Sequence, residues 1–303
     1  MLILKLIKRN ILVYTRDRAN IFFSLLSMLI IIGLMLIFLG KMNADGVVNL
    51  LNQYGGVRNE AQDRENANQL ILLWTMAGII VVNSVTITFT MAGIMVEDEA
   101  DKRLPSFFVS PVNRGVLVMG YIIAAIMMGI IMCILTVIFG QGIILVMGGS
   151  MFDIAEIGRI ALYIVLNVLS SACMVFLMAN FVHSQSAYSG LGTIVGTLVG
   201  FLAGIYLPIG MLPEKVQTVL KCFPLLHGCS FMRSVFTQRI INDTFVNCSP
   251  EVISGYKKYM GISITWNNNI LGDGIKVAYL IISGIIFIMI SMAMQRKRDI
   301  MRR

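Results

Sequence analysis

Six long apolar runs, separated by short segments that hold nearly all the charged residues, dominate the sequence. A helix needs about 20 apolar residues to cross the hydrocarbon core of a bilayer. Backbone polar groups find no water in that core, so runs of this length are expected to cross it as helices. The predicted spans are Phe22–Gly40, Leu70–Met95, Val116–Met147, Ile160–Phe181, Gly190–Met211 and Ile275–Met294.

The third run is longer than one crossing requires. We expect its helix either to tilt in the bilayer or to break near Gly140–Gly142. Residues 41–69, which follow the first run, are rich in Asn and Gln and contain the pair Gly55–Gly56, so we predict a polar external loop there. The pattern gives a single domain over residues 1–303, whose largest external region is predicted at residues 212–273.

Residues 1–20 predict an amphipathic helix that lies in the membrane surface. Basic residues interrupt the apolar ones and no small-residue cleavage site follows, which excludes a secretory signal peptide. On a helix the apolar residues fall on one side and the basic residues on the other, as in interfacial helices. A simple polybasic anchor is the alternative, and both interpretations place the segment at the inner face. The basic side holds Lys5, Lys8, Arg9 and Arg16.

Residues 96–115 are the polar stretch between the second and third runs. Four acids are followed by the pair Lys102–Arg103, and apolar residues then recur at helical spacing until Pro111. The pattern predicts a short interfacial helix in this hairpin, which would offer charge and aromatic surface to a partner. A solvated turn that merely joins two spans is the alternative. The candidate contact residues are Glu97, Glu99, Arg103, Leu104, Phe107, Phe108, Pro111 and Arg114.

Composition agrees with a membrane protein. The chain has 303 residues, of which 57% are hydrophobic and 13% charged, with a mean hydropathy of +0.82. Lys and Arg are densest in the segments that are cytoplasmic if the N-terminus is inside, which predicts that both termini are cytoplasmic. The net charge of +8 therefore indicates contact with the anionic inner leaflet. Nucleic-acid binding is excluded because the basic clusters flank spans and no aromatic residues interleave them.

Two motifs carry a resemblance to a known family. An acidic residue ends the second run, and an amphipathic helix closes on Ser110–Pro111–Val112–Asn113–Arg114 before it enters the third. This arrangement resembles the coupling segment of type-2 ABC exporter permeases, the membrane subunits of ATP-driven exporters, although Pro105 departs from the pattern. The sequence Leu212–Pro213, followed by Pro224 and a helix with Arg233, is similar to the re-entrant helices that cap the exit side in the same family.

The resemblance implies a fold and partners. The fold is an all-α integral membrane protein of six transmembrane helices. An elbow helix lies over residues 1–20, a coupling helix over residues 96–115, and short external re-entrant helices lie between spans five and six. A separate nucleotide-binding subunit would dock on residues 96–115, called the coupling hairpin below, and hold the ATP and Mg²⁺, so this chain needs no cofactor of its own. A second permease subunit, identical or related, would complete a dimer. The external lid would contain Pro213, Pro224 and Arg233.

Polar residues in two spans are candidates for a translocation path. Asn83, Thr86 and Thr90 share one side of the second span, where the resembling family lines its cavity, although packing between helices is the favoured alternative. Thr193 and Thr197 lie in the fifth span beside glycines that recur at intervals of four. Such a stripe lets another helix approach closely, and we expect a second subunit rather than an internal neighbour to occupy it. Its members are Gly192, Gly196, Gly200 and Gly204.

Several chemistries are excluded. The chain has no phosphate-binding loop of the Gly-x-x-x-x-Gly-Lys-Ser/Thr type, so it does not hydrolyse ATP by that mechanism. Apart from Lys276 at the edge of the last span, the span cores contain no Asp, Glu, Lys, Arg or His, which argues against proton-coupled carriers, ion pumps and intramembrane hydrolases. The two histidines, His183 and His227, are predicted on opposite sides, which argues against a metal site.

Three of the five cysteines are predicted on the outer side. Oxidising conditions there allow one disulfide among three possible pairs, and a fully reduced trio is the alternative. These residues are Cys222, Cys229 and Cys248.

These observations predict the permease subunit of an ABC exporter in a cell membrane, expected to be a bacterial plasma membrane. The weakly polar path favours an amphipathic substrate such as a drug, a peptide or a lipid-like molecule. A membrane scaffold or sensor that recruits a cytoplasmic partner without transport is the alternative.

Overall fold

Helices make up most of the chain in the computed structural model, which describes residues 2–34, 40–56, 58–101, 103, 114–266 and 269–301. A one-turn 3₁₀ helix lies at Ile209–Met211, and two short antiparallel strands pair Thr265 with Ile270 and Trp266 with Asn269. The strands are β1 (Thr265–Trp266) and β2 (Asn269–Ile270). The helices are α1 (Leu2–Arg16), α2 (Arg18–Leu34), α3 (Gly40–Tyr54), α4 (Glu60–Ala100), α5 (Arg114–Val146), α6 (Ile154–Ala179), α7 (Gln185–Leu202), α8 (Glu214–Lys221), α9 (Pro224–Thr244), α10 (Pro250–Tyr259) and α11 (Asp273–Met301).

Four of the described helices, α4, α5, α6 and α11, are long and apolar enough to cross a bilayer. This confirms the predicted all-α membrane architecture. The helices in the predicted first and fifth spans, α2 and α7, have 17 and 18 residues in the described part of the chain. The count of six spans and the interfacial position of α1 therefore stay predictions.

Helix α4 is the centre of the packing. It has 41 residues and is therefore about 60 Å long, twice the thickness of the hydrocarbon core. In the most apolar 18-residue stretch of α4, 89% of the residues are buried against the rest of the chain, whereas in that of α11 only 17% are. Helices α5, α6 and α9 surround α4, and α1 packs along α5. A continuous rigid element thus joins the two ends of the molecule.

The boundaries of three segments differ from the prediction. The expected polar loop after the first span contains α3, whose Ala44, Val47, Val48 and Leu51 recur at helical spacing and are buried. The predicted fifth span ran to Met211, but α7 ends at Leu202, and Gly204 follows with φ +63°, a conformation that glycine adopts without strain.

The third of these segments is the predicted pair of short external helices. The second of the pair, α9, has 21 residues and is largely buried against α4, α6 and α11. It approaches α6 so closely that a Cβ on Gly228 would lie 1.7 Å from the Asn167 Oδ1. In the third span, by contrast, α5 runs unbroken through Gly140–Gly142, so the helix does not break there.

Candidate coupling site and transport path

An ion-pair network centred on Asp98 joins three helices at the start of the coupling hairpin. Arg9 on α1 donates to both carboxylate oxygens of Asp98 at the end of α4, with an Nη2–Oδ1 distance of 2.8 Å and a second bond from Nη1 to Oδ2. The Tyr121 hydroxyl on α5 donates to Asp98 Oδ2 at 2.6 Å. Arg103 Nη1 lies 3.5 Å from Asp98 Oδ1. The Asp98 side chain is 1% exposed, so its charge is stabilised by these groups rather than by water.

The network fixes the position of the amphipathic helix. The hydrogen bonds to Asp98 raise the pKa of Arg9 above its usual value, so the guanidinium stays charged. A bidentate pair between a guanidinium and a carboxylate also restricts the relative orientation of the two side chains. The middle of α1, the end of α4 and the first turns of α5 are therefore held together beside the coupling hairpin.

The predicted contact residues of the hairpin are described only in part. Glu97 is exposed, Glu99 is half-buried, and Arg103 bonds to Asp101 at 2.9 Å as well as approaching Asp98. Arg114 is the first residue of α5. Sequence reasoning missed Arg9, Asp98 and Tyr121 as a unit, because nothing in the local pattern pairs residues that are far apart in the chain. Four of the predicted residues lie outside the described residues: Leu104, Phe107, Phe108 and Pro111.

The polar side of α4 makes mostly internal hydrogen bonds. Asn83 is buried and donates its side-chain N–H to the Thr136 hydroxyl of α5 at 2.9 Å. Thr86 and Thr90 are half-buried, and their hydroxyls bond to carbonyls one turn earlier in α4, at 3.4 and 3.0 Å. Asn83 thus contributes to packing between helices in this conformation, while Thr86 and Thr90 are partly accessible.

Helix α7 has one packed and one open face. On the packed face Tyr188 stacks on Phe89 of α4, with ring centroids 4.4 Å apart, and donates its hydroxyl to the Phe89 carbonyl. The open face carries the exposed path candidates Thr193 and Thr197, which bond to carbonyls of α7 itself.

The four glycines of the stripe do not share one environment. A Cβ on Gly192 would lie 3.1 Å from Phe89, and one on Gly200 would lie 2.4 Å from Tyr206. Gly204 lies beyond the helix, next to Ile209 and Arg233. A Cβ on Gly196 would have no neighbour within 4 Å in the described chain. Gly196 is thus the member of the stripe whose face is uncovered in the described chain.

Arg233 on α9 is a buried anchor at the opposite end of the molecule. Its Nη2 donates to the carbonyls of Ala203 and Gly204, at 3.1 and 2.8 Å, where α7 ends. Its guanidinium lies 4.1 Å from the ring centroid of Trp74. Burial lowers the pKa of Arg233 to about 10, which still leaves it protonated at neutral pH. The predicted lid arginine therefore joins α4, α7 and α9 and neutralises the negative end of the α7 dipole.

A second arginine outside the spans holds the turn before α4. Arg58 makes two hydrogen bonds of 2.7 Å to Asp63 and donates to the carbonyls of Thr244 and Val246 at 2.6 Å. The bonds to Asp63 raise the pKa of Arg58. This contact fixes the turn to the end of α9, and sequence reasoning missed it because the segment was expected to be a loop.

The remaining predicted lid and cysteine residues occupy the ends of α8 and α9. Pro213 directly precedes α8 and Pro224 is the first residue of α9, where the missing N–H of proline has no helical partner to lose. All of Cys222, Cys229 and Cys248 are free thiols in this structure. Within the described ranges no group of three His, Cys, Asp or Glu residues could hold a metal ion.

The sequence was also compared with known proteins. A family model described as "ABC-2 type transporter" matches residues 1–237. No curated protein matches the chain.

Proposed function

The chain belongs to the ABC-2 type transporter family, as its multi-pass membrane component, and we propose that it is the permease subunit of an exporter. In this proposal an ATPase on a separate polypeptide binds the coupling hairpin, and an amphipathic substrate leaves the cell through the membrane. Both termini are cytoplasmic. The Asp98 network is the observation that carries the proposal, because it joins α1, α4 and α5 at the hairpin itself.

In this proposal the Asp98 network transmits mechanical force from the ATPase to the helices. Movement of a docked ATPase displaces the hairpin, and the pairing of Asp98 with Arg9 makes α1 and α4 move together. Since α4 is a continuous helix, displacement at Asp98 also reaches Trp74, 24 positions earlier, and Arg233, whose guanidinium lies over the Trp74 ring. ATP and Mg²⁺ stay on the partner, and this chain converts the displacement into opening of a path. The half-buried Thr86 and Thr90 are the proposed path residues of α4.

A second permease subunit completes the path in this proposal. The open face of α7 combines Thr193, Gly196 and Thr197 with exposed apolar residues, including Ile194 and Leu198. Two such faces would bury apolar surface and leave the hydroxyls beside a shared path. Gly196→Leu should weaken dimer recovery in detergent without lowering monomer stability, and an unchanged dimer would assign the interface to another helix.

The experiment that tests the function uses the chain purified with its candidate ATPase and placed in proteoliposomes. Replacing Leu104, Phe107 and Phe108 together with alanine should leave basal ATP turnover intact but abolish substrate-stimulated turnover and export. The matched control replaces three exposed apolar residues of α5, Ile131, Ile134 and Ile138, and should retain both activities.

Two results would contradict the proposal. Full export by the hairpin variant would show that the three replaced residues are not needed for docking of the ATPase. Export by the purified chain with no ATPase present would show that transport does not depend on ATP hydrolysis by a partner. Stable recruitment of a cytoplasmic partner with no export of any substrate would favour the scaffold or sensor.

A further inference from the structure

The segment beyond the family match builds a cavity that the transport mechanism does not use. The match ends at residue 237, in the middle of α9. An open cavity of about 540 Å³ lies here, lined mostly by residues beyond the match: the later part of α9, α10, β2 and the residues next to the two strands, and the first turn of α11. This volume lies within the range of about 300–1,000 Å³ that is typical of small-molecule sites.

A buried lysine lines this cavity. The Lys276 side chain is 4% exposed, and its Nζ donates to Asp273 Oδ1 at 3.2 Å. Its ammonium also lies 5.4 Å from the ring centroid of Phe231. An ammonium has three N–H donors, and among the described residues only Asp273, itself 63% exposed, accepts one from Lys276. A buried charge with so little compensation would be stabilised by a further anion.

The rest of the wall suits an anion with an apolar part. A second lysine, Lys257 of α10, lines the same cavity, so the lining has two lysines and one aspartate. The first turn of α11 also contributes, and the positive end of a helix dipole favours anions. Apolar side chains of α9 and α10, Ile241 and Ile253, form another part of the wall.

We propose that this cavity binds an amphipathic organic anion. Its carboxylate or phosphate head lies between Lys257 and Lys276, and its alkyl part lies against the isoleucines. The binding does not depend on the transport activity proposed above, and only its position on the outer side of the membrane rests on the proposed topology. The ligand comes either from the aqueous phase or from an anionic lipid of the bilayer, and the test separates these sources.

The test measures octanoate binding to the purified full chain in nanodiscs of phosphatidylcholine, by equilibrium dialysis with empty nanodiscs as the blank. We expect saturable binding that Lys276→Gln and Lys257→Gln each weaken about tenfold, as loss of a charge-assisted hydrogen bond predicts. Lys258→Gln is the matched control, because Lys258 is exposed on the same helix and lies outside the cavity lining, and it should bind as the native chain does. Competition by phosphatidylglycerol in the nanodisc identifies a lipid ligand, and its absence identifies a soluble one.

Three results would overturn the site. Native affinity in both lysine variants would show that the two lysines do not bind the head group. Equal weakening of octanoate binding by Lys258→Gln would indicate general attraction to surface charge. Full competition by octanol or by inorganic phosphate would show that the site does not require a ligand that is both apolar and anionic. Lys257 is only half-buried, so Lys257→Gln keeps the test valid if Lys276→Gln fails to fold. Failure here leaves the exporter proposal standing, because no ATPase takes part in the measurement.

Discussion

Replacing Asp98 with asparagine tests the network that joins α1, α4 and α5. The change keeps the size of the side chain but removes its charge. Arg9 then loses its counter-charge and the Tyr121 hydroxyl loses a charged acceptor at 2.6 Å. An asparagine side chain also brings an N–H group into a site where the neighbours are donors, so at least one buried donor is left without a partner.

The expected cost follows from the burial of the two partners. Removing one member of a fully buried ion pair costs about 3–5 kcal/mol. The Asp98 side chain is 1% exposed, but that of Arg9 is 31% exposed and can turn towards water, which reduces the penalty. We therefore expect a loss of roughly 2–3 kcal/mol in the free energy of unfolding. Coupling between substrate and ATP turnover should fall as well, because α1 is no longer fixed to α4.

The assay is thermal unfolding of the purified chain in nanodiscs, combined with a double-mutant cycle on Arg9→Gln and Asp98→Asn. The cycle should give a coupling energy of about 1–3 kcal/mol, in the range found for residues in direct contact. The matched control is the pair of Arg64 and Asp45, whose side chains are both about half exposed. Asp45→Asn should cost less than about 1 kcal/mol.

Additive effects of Arg9→Gln and Asp98→Asn would refute the direct pairing. Equal losses for Asp98→Asn and Asp45→Asn would refute the argument from burial. Native stability together with native export in Asp98→Asn would show that the network is dispensable for both folding and coupling.

Three further changes test the packing and the cysteines. Arg233→Lys keeps the charge but loses the planar guanidinium that donates to the carbonyls at the end of α7, so it should lower the free energy of unfolding by roughly 2 kcal/mol. The control Arg239→Lys, at a partly exposed site, should be nearly neutral in the same thermal assay. Gly228→Ala should destabilise by about 1–3 kcal/mol because its Cβ would displace the buried amide of Asn167, while Gly158→Ala, which meets open space on α6, should stabilise by about 1 kcal/mol in thermal unfolding. An impermeant maleimide added to intact cells should label a variant whose only cysteine is the exposed Cys222, and labelling only after lysis would contradict its external position.

The sequence predicted the long spans because their lengths and hydropathy are local properties. The spans that became α4, α5, α6 and α11 each contain an uninterrupted apolar window. Helix α3 was missed because its average composition is polar, although its four buried residues already recur at helical spacing. The end of α7 was missed because the apolar run continues past Gly204, and spacing alone does not show that Gly204 adopts a positive φ or that Arg233 binds the carbonyls of Ala203 and Gly204.

Pairing across the chain is the part of the site that local patterns do not determine. Glu97 and Arg103 could be proposed from the hairpin alone, but Arg9 lies in another helix and meets Asp98 only after α1 packs along α5. Gly192 shows the same limit, since its spacing indicates close helix contact without saying that Phe89 provides it. Residue spacing gives the shape of a helix face, and the tertiary fold decides its neighbour.

The unbroken course of α4 also fixes an angular relation. A helix advances by about 100° per residue, so one residue inserted between Trp74 and Asp98 would turn the Asp98 carboxylate away from Arg9 while Trp74 stayed beneath Arg233. Seven residues complete two turns to within about 20° and would restore the direction of the side chain, at the cost of a longer axis. We therefore expect insertions and deletions to be tolerated in the loops but not within α4 between Trp74 and Asp98, whose spacing of 24 positions sets the relative direction of the two side chains.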